Sequence, residues 1–269
     1  MKQVIKKLGS KVYSLFQLYK RSNFNTKIIA YHQVNPDYFE EQITFLKNNF
    51  QVSSLSQALQ NLDKKQVVIT FDDGYKNNLD VAYPVLKKSG LKATVYVPFN
   101  FIDNNEFAWW DKLENENLYH LAESLKSLHP SQLNKKVTEL TKNKEKPEKY
   151  NFMTWSDLKK IEDVFEIGGH TITHPILTNI SMDEARKEIV NSKVRLEEKL
   201  GHPIVSFSYP NGNYNQSLMN IVEESGFNNA LTYKKGNNIS STNKYALLRR
   251  GINYNDNLDI FKAKIGGLF

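Results

Sequence analysis

The sequence predicts an α/β fold in which seven or eight parallel strands alternate with helices in a barrel-like arrangement. Three observations point there. Short β-branched runs recur with helix-spaced stretches between them; one run, Val67-Val68-Ile69-Thr70-Phe71, ends in Asp72-Asp73-Gly74; another, Val164 to Ile167, delivers Gly168-Gly169-His170. A short continuous apolar run is the pattern of a strand buried on both faces, as in parallel sheets covered by helices. Ligands in such folds collect at the carboxyl ends of strands, so both endings are places for chemistry.

Taken in order, residues 1–26 are a basic amphipathic segment and 27–269 supply the barrel. Lys2, Lys6, Lys7, Lys11, Lys20 and Arg21 occur with almost no acids before Glu40, and they carry much of a net charge of +7 (36 Lys and Arg against 29 Asp and Glu). Two readings stand side by side. One is a solvated basic face; the other is a helix lying on an anionic membrane through residues 1–22, with Val4, Ile5, Leu8, Val12, Leu15, Phe16 and Tyr19 as its apolar stripe. No apolar run approaches the roughly 18 residues of a membrane span, and Ser14, Gln17 and Lys20 interrupt any signal-peptide pattern. The expectation is a cytoplasmic protein with or without peripheral membrane contact. The basic residues are not interleaved with a nucleic-acid-reading motif, which disfavours DNA or RNA as a partner. There are no cysteines, so any metal must be held by His, Asp or Glu.

Lys27 to His32 reads as the first strand, and Tyr38 to Asn48 is a helix with Phe39, Ile43 and Leu46 inward. Val52 is a short strand; Ser54 or Ser56 caps a helix holding Leu59 and Leu62. After strand 67–71 a helix over Asn78 to Ser89 ends at Gly90, before the strand Ala93 to Val97. Residues 102–150 break the rhythm. Trp109-Trp110 leads into a polar, Lys- and Glu-rich stretch with helical spacing (Leu113, Leu118, Leu121, Leu125, Leu128, Leu133), read as a helical insertion over one end of the barrel. Alternation resumes with a helix capped by Thr154. Strand 164–167 follows, then a helix from Asp183 to Leu200 capped by Ser181 with Glu184 in the capping-box position. Strands at 205–210, 230–233 and 247–252, a helix at 218–224 and a last helix at about 256–265 complete the chain.

The chemistry rests on few residues. His170 and His174 stand four apart just before Pro175, a spacing that lets two imidazoles face one cation from a helix or an extended segment. Proline biases the residue before it toward extended backbone, so a loop at a strand end is expected. With Asp72 or Asp73 the pair makes a His-His-carboxylate set, a common ligand set for catalytic zinc or iron.

Thr70-Phe71-Asp72-Asp73-Gly74, His170-Thr171 with His174, and Tyr209-Pro210 with Gly212 together resemble the first three motifs of the polysaccharide deacetylases, the NodB-homology domain of carbohydrate esterase family four. Ala30-Tyr31-His32-Gln33-Val34 resembles the branch of that family opening with a Tyr-His-x-Val strand, as do Trp109-Trp110-Asp111 and Met153-Thr154-Trp155. The similarity runs over about residues 27–265. It implies a divalent metal, usually zinc, held by Asp73, His170 and His174, with Asp72 as general base. It further implies removal of N-acetyl groups from sugar residues of a polysaccharide or a lipid-linked or surface glycan, releasing acetate and a free amine. Tyr209, Pro210, Gly212 and Trp155 are its candidates for substrate contact. Two departures stand out. The family's arginine two residues before the motif-three proline is Ser208 here, so Arg249 or Arg250 is the candidate to orient the base. No histidine follows His202 to act as the late general acid, so His32 is the candidate substitute. These departures keep two alternatives open: a catalytically weak sugar-binding module of the same fold, and an amidohydrolase of a small N-acyl metabolite.

Overall fold

A computed structural model describes residues 25–141 and 145–267. The basic amphipathic segment and its membrane-facing stretch 1–22 lie outside the described residues, which begin at Asn25. The described residues open with β1 (Lys27–Tyr31), α1 (Pro36–Asn49), β2 (Gln51–Val52), α2 (Leu55–Ala58) and β3 (Gln66–Asp72). A π-helical turn, Asn78–Ala82, runs into α3 (Tyr83–Ser89), and β4 (Ala93–Val97) follows. Helices α4 (Phe99–Asn104), α5 (Trp109–Asn115), α6 (Ala122–Leu125), α7 (Pro130–Leu140) and α8 (Trp155–Ile161) separate β4 from β5 (Phe165–Gly169). Then come α9 (Met182–Leu200), β6 (Ser206–Ser208), α10 (Gln216–Glu224), β7 (Asn229–Leu231), β8 (Arg249–Gly251) and α11 (Leu258–Gly266).

The strands form one parallel sheet in the order β7-β6-β5-β4-β3-β1-β8, with β2 beside the start of β3. A parallel bridge from Leu231 to Leu247, just before β8, brings the two edges together. The result is a nearly closed, distorted (β/α) barrel, as the strand–helix alternation predicts. Every residue of β1, β3 and β4 is buried, which is why those segments read as unbroken apolar runs. Register sets the site: Asp72 pairs with Tyr96 of β4, and Tyr96 pairs with Gly168 of β5, so the Asp72-Asp73 and Gly169-His170 endings open on the same face. A Cβ at Gly168 would lie 2.4 Å from the Tyr96 ring, so only glycine lets that ring fill the barrel at this level.

Several boundaries differ from the sequence expectation, each for a local reason. Ser54, not Ser56, is the N-cap of α2, which stops at Ala58; Leu59 is its C-cap and Leu62 lies beyond it. The 78–89 helix is present, but its first turn is widened, where Pro84 lacks the N–H a regular turn would need. β6 is three residues rather than 205–210, because Pro210 starts a tight turn. β7 and β8 are likewise three residues each. The insertion carries its own small apolar cluster of Leu113, Ala122, Leu125, Leu133 and Val137. No helix among the described residues is long and apolar enough to cross a membrane.

Candidate metal centre

Three side chains converge at the carboxyl ends of β3 and β5. Asp73 Oδ1 lies 3.3 Å from His174 Nε2 and 3.6 Å from His170 Nε2, and the two Nε2 atoms are 3.2 Å apart. Ligands about 2.0–2.1 Å from a tetrahedral zinc stand about 3.3 Å from one another, so these separations match a three-residue face around one such ion. Polar satisfaction points the same way. Asp73 Oδ1 is buried without a hydrogen-bond partner, a costly arrangement for a carboxylate oxygen unless a cation completes it. The Nδ1 of His170 donates to the carbonyl of Ser208 at 2.6 Å, which leaves its Nε2 lone pair facing the gap. The residues present therefore fit a divalent cation.

Backbone strain is concentrated here. Asp73 has φ 72°, Thr171 φ 71° and His174 φ 59°, left-handed conformations that cost roughly 1–3 kcal/mol each in a non-glycine residue. The loop expected before Pro175 is present, but His174 is left-handed rather than extended, because its imidazole must turn back toward His170. Glu188 of α9 holds this loop. Its carboxylate accepts from the N–H groups of Ile172 (2.8 Å) and Thr173 (2.9 Å) and from the Thr173 hydroxyl (2.8 Å).

The two adjacent aspartates are driven in opposite directions. Burial, reinforced by Asp72 and Asp111, pushes Asp73 well above the usual carboxylate range. Burial also works against charge on Asp72, but the Arg249 guanidinium outweighs it and holds that carboxyl down at about 2. The pair is bidentate, Nη1 to Oδ1 and Nη2 to Oδ2, both at 2.8 Å. Burial lowers His170 to about 4 and takes His174 well below the ordinary imidazole value, so both are neutral near pH 7, the form a cation needs.

Of the two candidate arginines, Arg249 alone reaches Asp72. It is fully buried, and Nε donates to the carbonyl of Thr232 (2.9 Å) and Nη2 to Ser208 Oγ (2.8 Å). Ser208 thus occupies the expected arginine position with a small acceptor for a guanidinium arriving from β8. Arg250 points to the other side of the strand and donates to the carbonyl of Lys264, so it takes no part in the site. His32, at the end of β1, has Nε2 3.9 Å from Asp73 Oδ2 and a half-exposed side chain.

The expected substrate contacts fare differently. The Tyr209 ring is buried, with its hydroxyl on the carbonyl of Tyr245, so its side chain belongs to the core. Pro210 opens a tight turn, and Gly212 has φ 76° with Tyr233 packed where a Cβ would sit. Trp155 packs tilted against Phe99 (5.0 Å) with its N–H on Asp103 (2.8 Å). The insertion supplies a different tryptophan. Trp110 lies 4.7 Å from the His174 ring, and Phe101 lies 5.8 Å away on the same imidazole. Trp110 donates to the Tyr75 hydroxyl at 2.8 Å, which in turn donates to Asp111 at 2.9 Å. Burial raises that carboxyl to about 7. Trp110 was visible in the sequence only as part of Trp-Trp-Asp; Glu188 carried no local signal.

A family model described as polysaccharide deacetylase matches residues 59–230. The chain belongs to the polysaccharide deacetylase family. A putative polysaccharide deacetylase of Bacillus subtilis (strain 168), YxkH, is 26% identical over 237 residues, 82% of this chain and 69% of that one. Among solved structures, the Streptococcus pyogenes deacetylase PplD in complex with acetate has a TM-score of 0.67 at 22% identity, covering 89% of this chain and 97% of its own. A de-N-acetylase from Aggregatibacter actinomycetemcomitans has a TM-score of 0.64 at 18% identity, over 89% and 99%. At these identities the two structures speak to the fold.

Proposed function

We propose that the protein is a metal-dependent hydrolase that removes N-acetyl groups from sugar residues of a polysaccharide or a lipid-linked or surface glycan. The observation that carries this reading is an unpartnered, buried Asp73 oxygen facing two neutral imidazoles, beside a second aspartate held ionised by Arg249. Asp73, His170 and His174 would hold a divalent cation, with zinc the one this ligand set suits. When bound, that ion supplies Lewis-acid polarisation of the acetamide carbonyl and acidifies the attacking water.

The chain's own groups do the rest. Asp72 accepts the proton of the attacking water; its bond to Arg249 keeps it a carboxylate at any pH well above about 2. The main chain after Tyr209 offers a donor to the developing oxyanion. Tyr209 N–H is committed to Leu231, Pro210 has none, and Gly212 N–H is on Tyr209, which leaves Asn211 as the first residue in the turn to supply it. His32 gives a proton to the departing nitrogen, completing a free amine and acetate. Trp110 and Phe101 wall the site with apolar surface that suits an acetyl methyl. The bidentate bond from Arg249 to Asp72, made although Ser208 stands at the expected arginine position, supports this reading over a catalytically weak binding module.

The test is acetate release from N-acetylglucosamine oligomers. Asp72→Asn is expected to lose about 10²–10⁴-fold in turnover while bound metal, measured by elemental analysis, is unchanged. Asp73→Ala and His170→Ala are expected to lose the metal itself. Retained turnover in Asp72→Asn would eliminate the assigned base. Turnover of small N-acyl compounds without any on oligomers would redirect the substrate assignment.

A further inference from the structure

Tyr233 follows β7 at the rim of the centre, and the fold makes room for it. A Cβ at Gly212 would lie 2.4 Å from the Tyr233 Cβ and backbone nitrogen, and one at Gly251 would lie 2.8 Å from its ring. A tight turn and the end of β8 therefore both go without a side chain where this residue stands. Behind the ring lies the Arg249 guanidinium, 5.0 Å from its centre. Its hydroxyl is directed at His32, with Oη 3.4 Å from Nδ1, and the two rings are 5.9 Å apart at 34°. The His32 backbone is anchored independently. Asn78, at the start of the π-helical turn, donates its amide to the His32 carbonyl at 2.7 Å. Asn77 accepts from the Val34 N–H at 2.7 Å and donates to its carbonyl at 3.1 Å. With the main chain held, the freedom left to His32 is the rotation of its ring.

We infer that Tyr233 is a positioning residue: its hydroxyl holds His32 Nδ1 and so keeps Nε2 as the nitrogen turned to the Asp73 side of the centre. The inference rests on the assignment of His32 as proton donor made above. In the imidazolium, Nδ1–H donates to the Tyr233 oxygen while Nε2–H faces the substrate. As the carbon–nitrogen bond breaks, its electron pair stays on nitrogen, which takes the Nε2 proton. His32 is left as the neutral Nδ1–H tautomer, and its bond to Tyr233 persists throughout. Burial and then the neighbouring Asp72 carboxylate push the Tyr233 phenol above its ordinary range, so it stays a neutral hydroxyl able to play this part.

Tyr233→Phe removes the hydroxyl and keeps the ring in its glycine-lined place. Its kcat is expected to fall about tenfold, the worth of one hydrogen bond made in the transition state, with KM and bound metal unchanged. His32→Ala is expected to fall further, and adding Tyr233→Phe to it should cost nothing more, because the hydroxyl acts through the missing imidazole. A readout independent of turnover is the 15N spectrum of the histidines, with His32 assigned by its absence in His32→Ala. One tautomer is expected in the wild type and averaged shifts in Tyr233→Phe. Wild-type kcat in Tyr233→Phe, an unchanged His32 spectrum, or an equal loss in the His32→Ala background would each overturn the inference. Wild-type turnover in His32→Ala would instead overturn the proton-donor assignment, while the spectrum would still decide the contact.

Discussion

Arg249 and Arg250 stand side by side on β8, and strand alternation sends them to opposite regions. Arg249 enters the barrel, where it is fully buried against Asp72, Ser208 and Thr232. Arg250 turns outward to the last turn of α11 and donates to the carbonyl of Lys264, next to Lys27, whose Nζ donates to the carbonyl of Ile265 at 2.6 Å. Those carbonyls lie in the last turn, where a helix runs out of its own i+4 donors; the Gly267 N–H reaches the Lys264 carbonyl as well, at 3.1 Å, and the two cations add to that helix end. The inner region is built the other way. It holds left-handed backbone at Asp73, Thr171 and His174. The outer cations go to carbonyls at a helix end, whereas the inner region concentrates backbone strain around three converging side chains.

Breaking the inner pair should have the largest effect. Arg249→Met strands a buried Asp72 carboxylate and should cost about 3–5 kcal/mol in urea unfolding, with turnover down by about 10²-fold or more. Arg250→Met, one residue along, should cost about 1 kcal/mol, the scale of one hydrogen bond, and leave kcat unchanged. If the two variants lost comparable stability and activity, the contrast between the two regions would be wrong.

That contrast also marks what the sequence could carry. The barrel was legible because its strands are short, apolar and regularly spaced by helices, and the buried runs of β1, β3 and β4 needed no tertiary information. The convergence of Asp72 or Asp73 with His170 and His174 followed from strand endings that must share a face in a parallel barrel; the choice of Asp73 came from the resemblance to the family. The choice between Arg249 and Arg250 was not legible. β8 is three residues long, too short for its alternation to reveal which side chain enters the barrel. Nor could the sequence choose among tryptophans. Trp155 begins a helix beside the barrel, whereas Trp110 reaches His174 through the packing of an insertion whose helical spacing says nothing about which way it leans. The left-handed His174 ran against the local preference of a residue before proline, and the approach of its imidazole to His170 and Asp73 prevailed.

The next effect in size tests whether the strained loop is held or merely tolerated. Glu188→Ala removes the acceptor for Ile172, Thr173 and the Thr173 hydroxyl, all contacts within the loop that ends at His174. Metal affinity, followed by competition with a chelator, should weaken about 10- to 100-fold, the usual worth of groups that orient ligands. Asp72 and Arg249 lie outside this loop, so metal-saturated kcat should change much less. An unchanged affinity would mean that the turn from His170 to His174 keeps its shape without α9.

The smallest effect sharpens the outer side. Burial, helped by the nearby Arg250 charge, lowers Lys27 from 10.5 to about 7. The folded state therefore binds fewer protons than the unfolded chain between about pH 7 and 10.5, so stability rises with pH across that window. Below pH 7 both states are protonated and the cost of burying the ammonium is at its full value. The hydrogen bond to Ile265 is part of the folded environment that sets this value, so its contribution is already contained in the rise. Lys27→Met should flatten the rise of the urea midpoint from pH 7 to pH 10 relative to wild type, with kcat unchanged because Lys27 lies at the opposite end of β1 from His32. An equally steep rise in the variant would assign the pH dependence elsewhere and leave Lys27 a fully compensated helix cap.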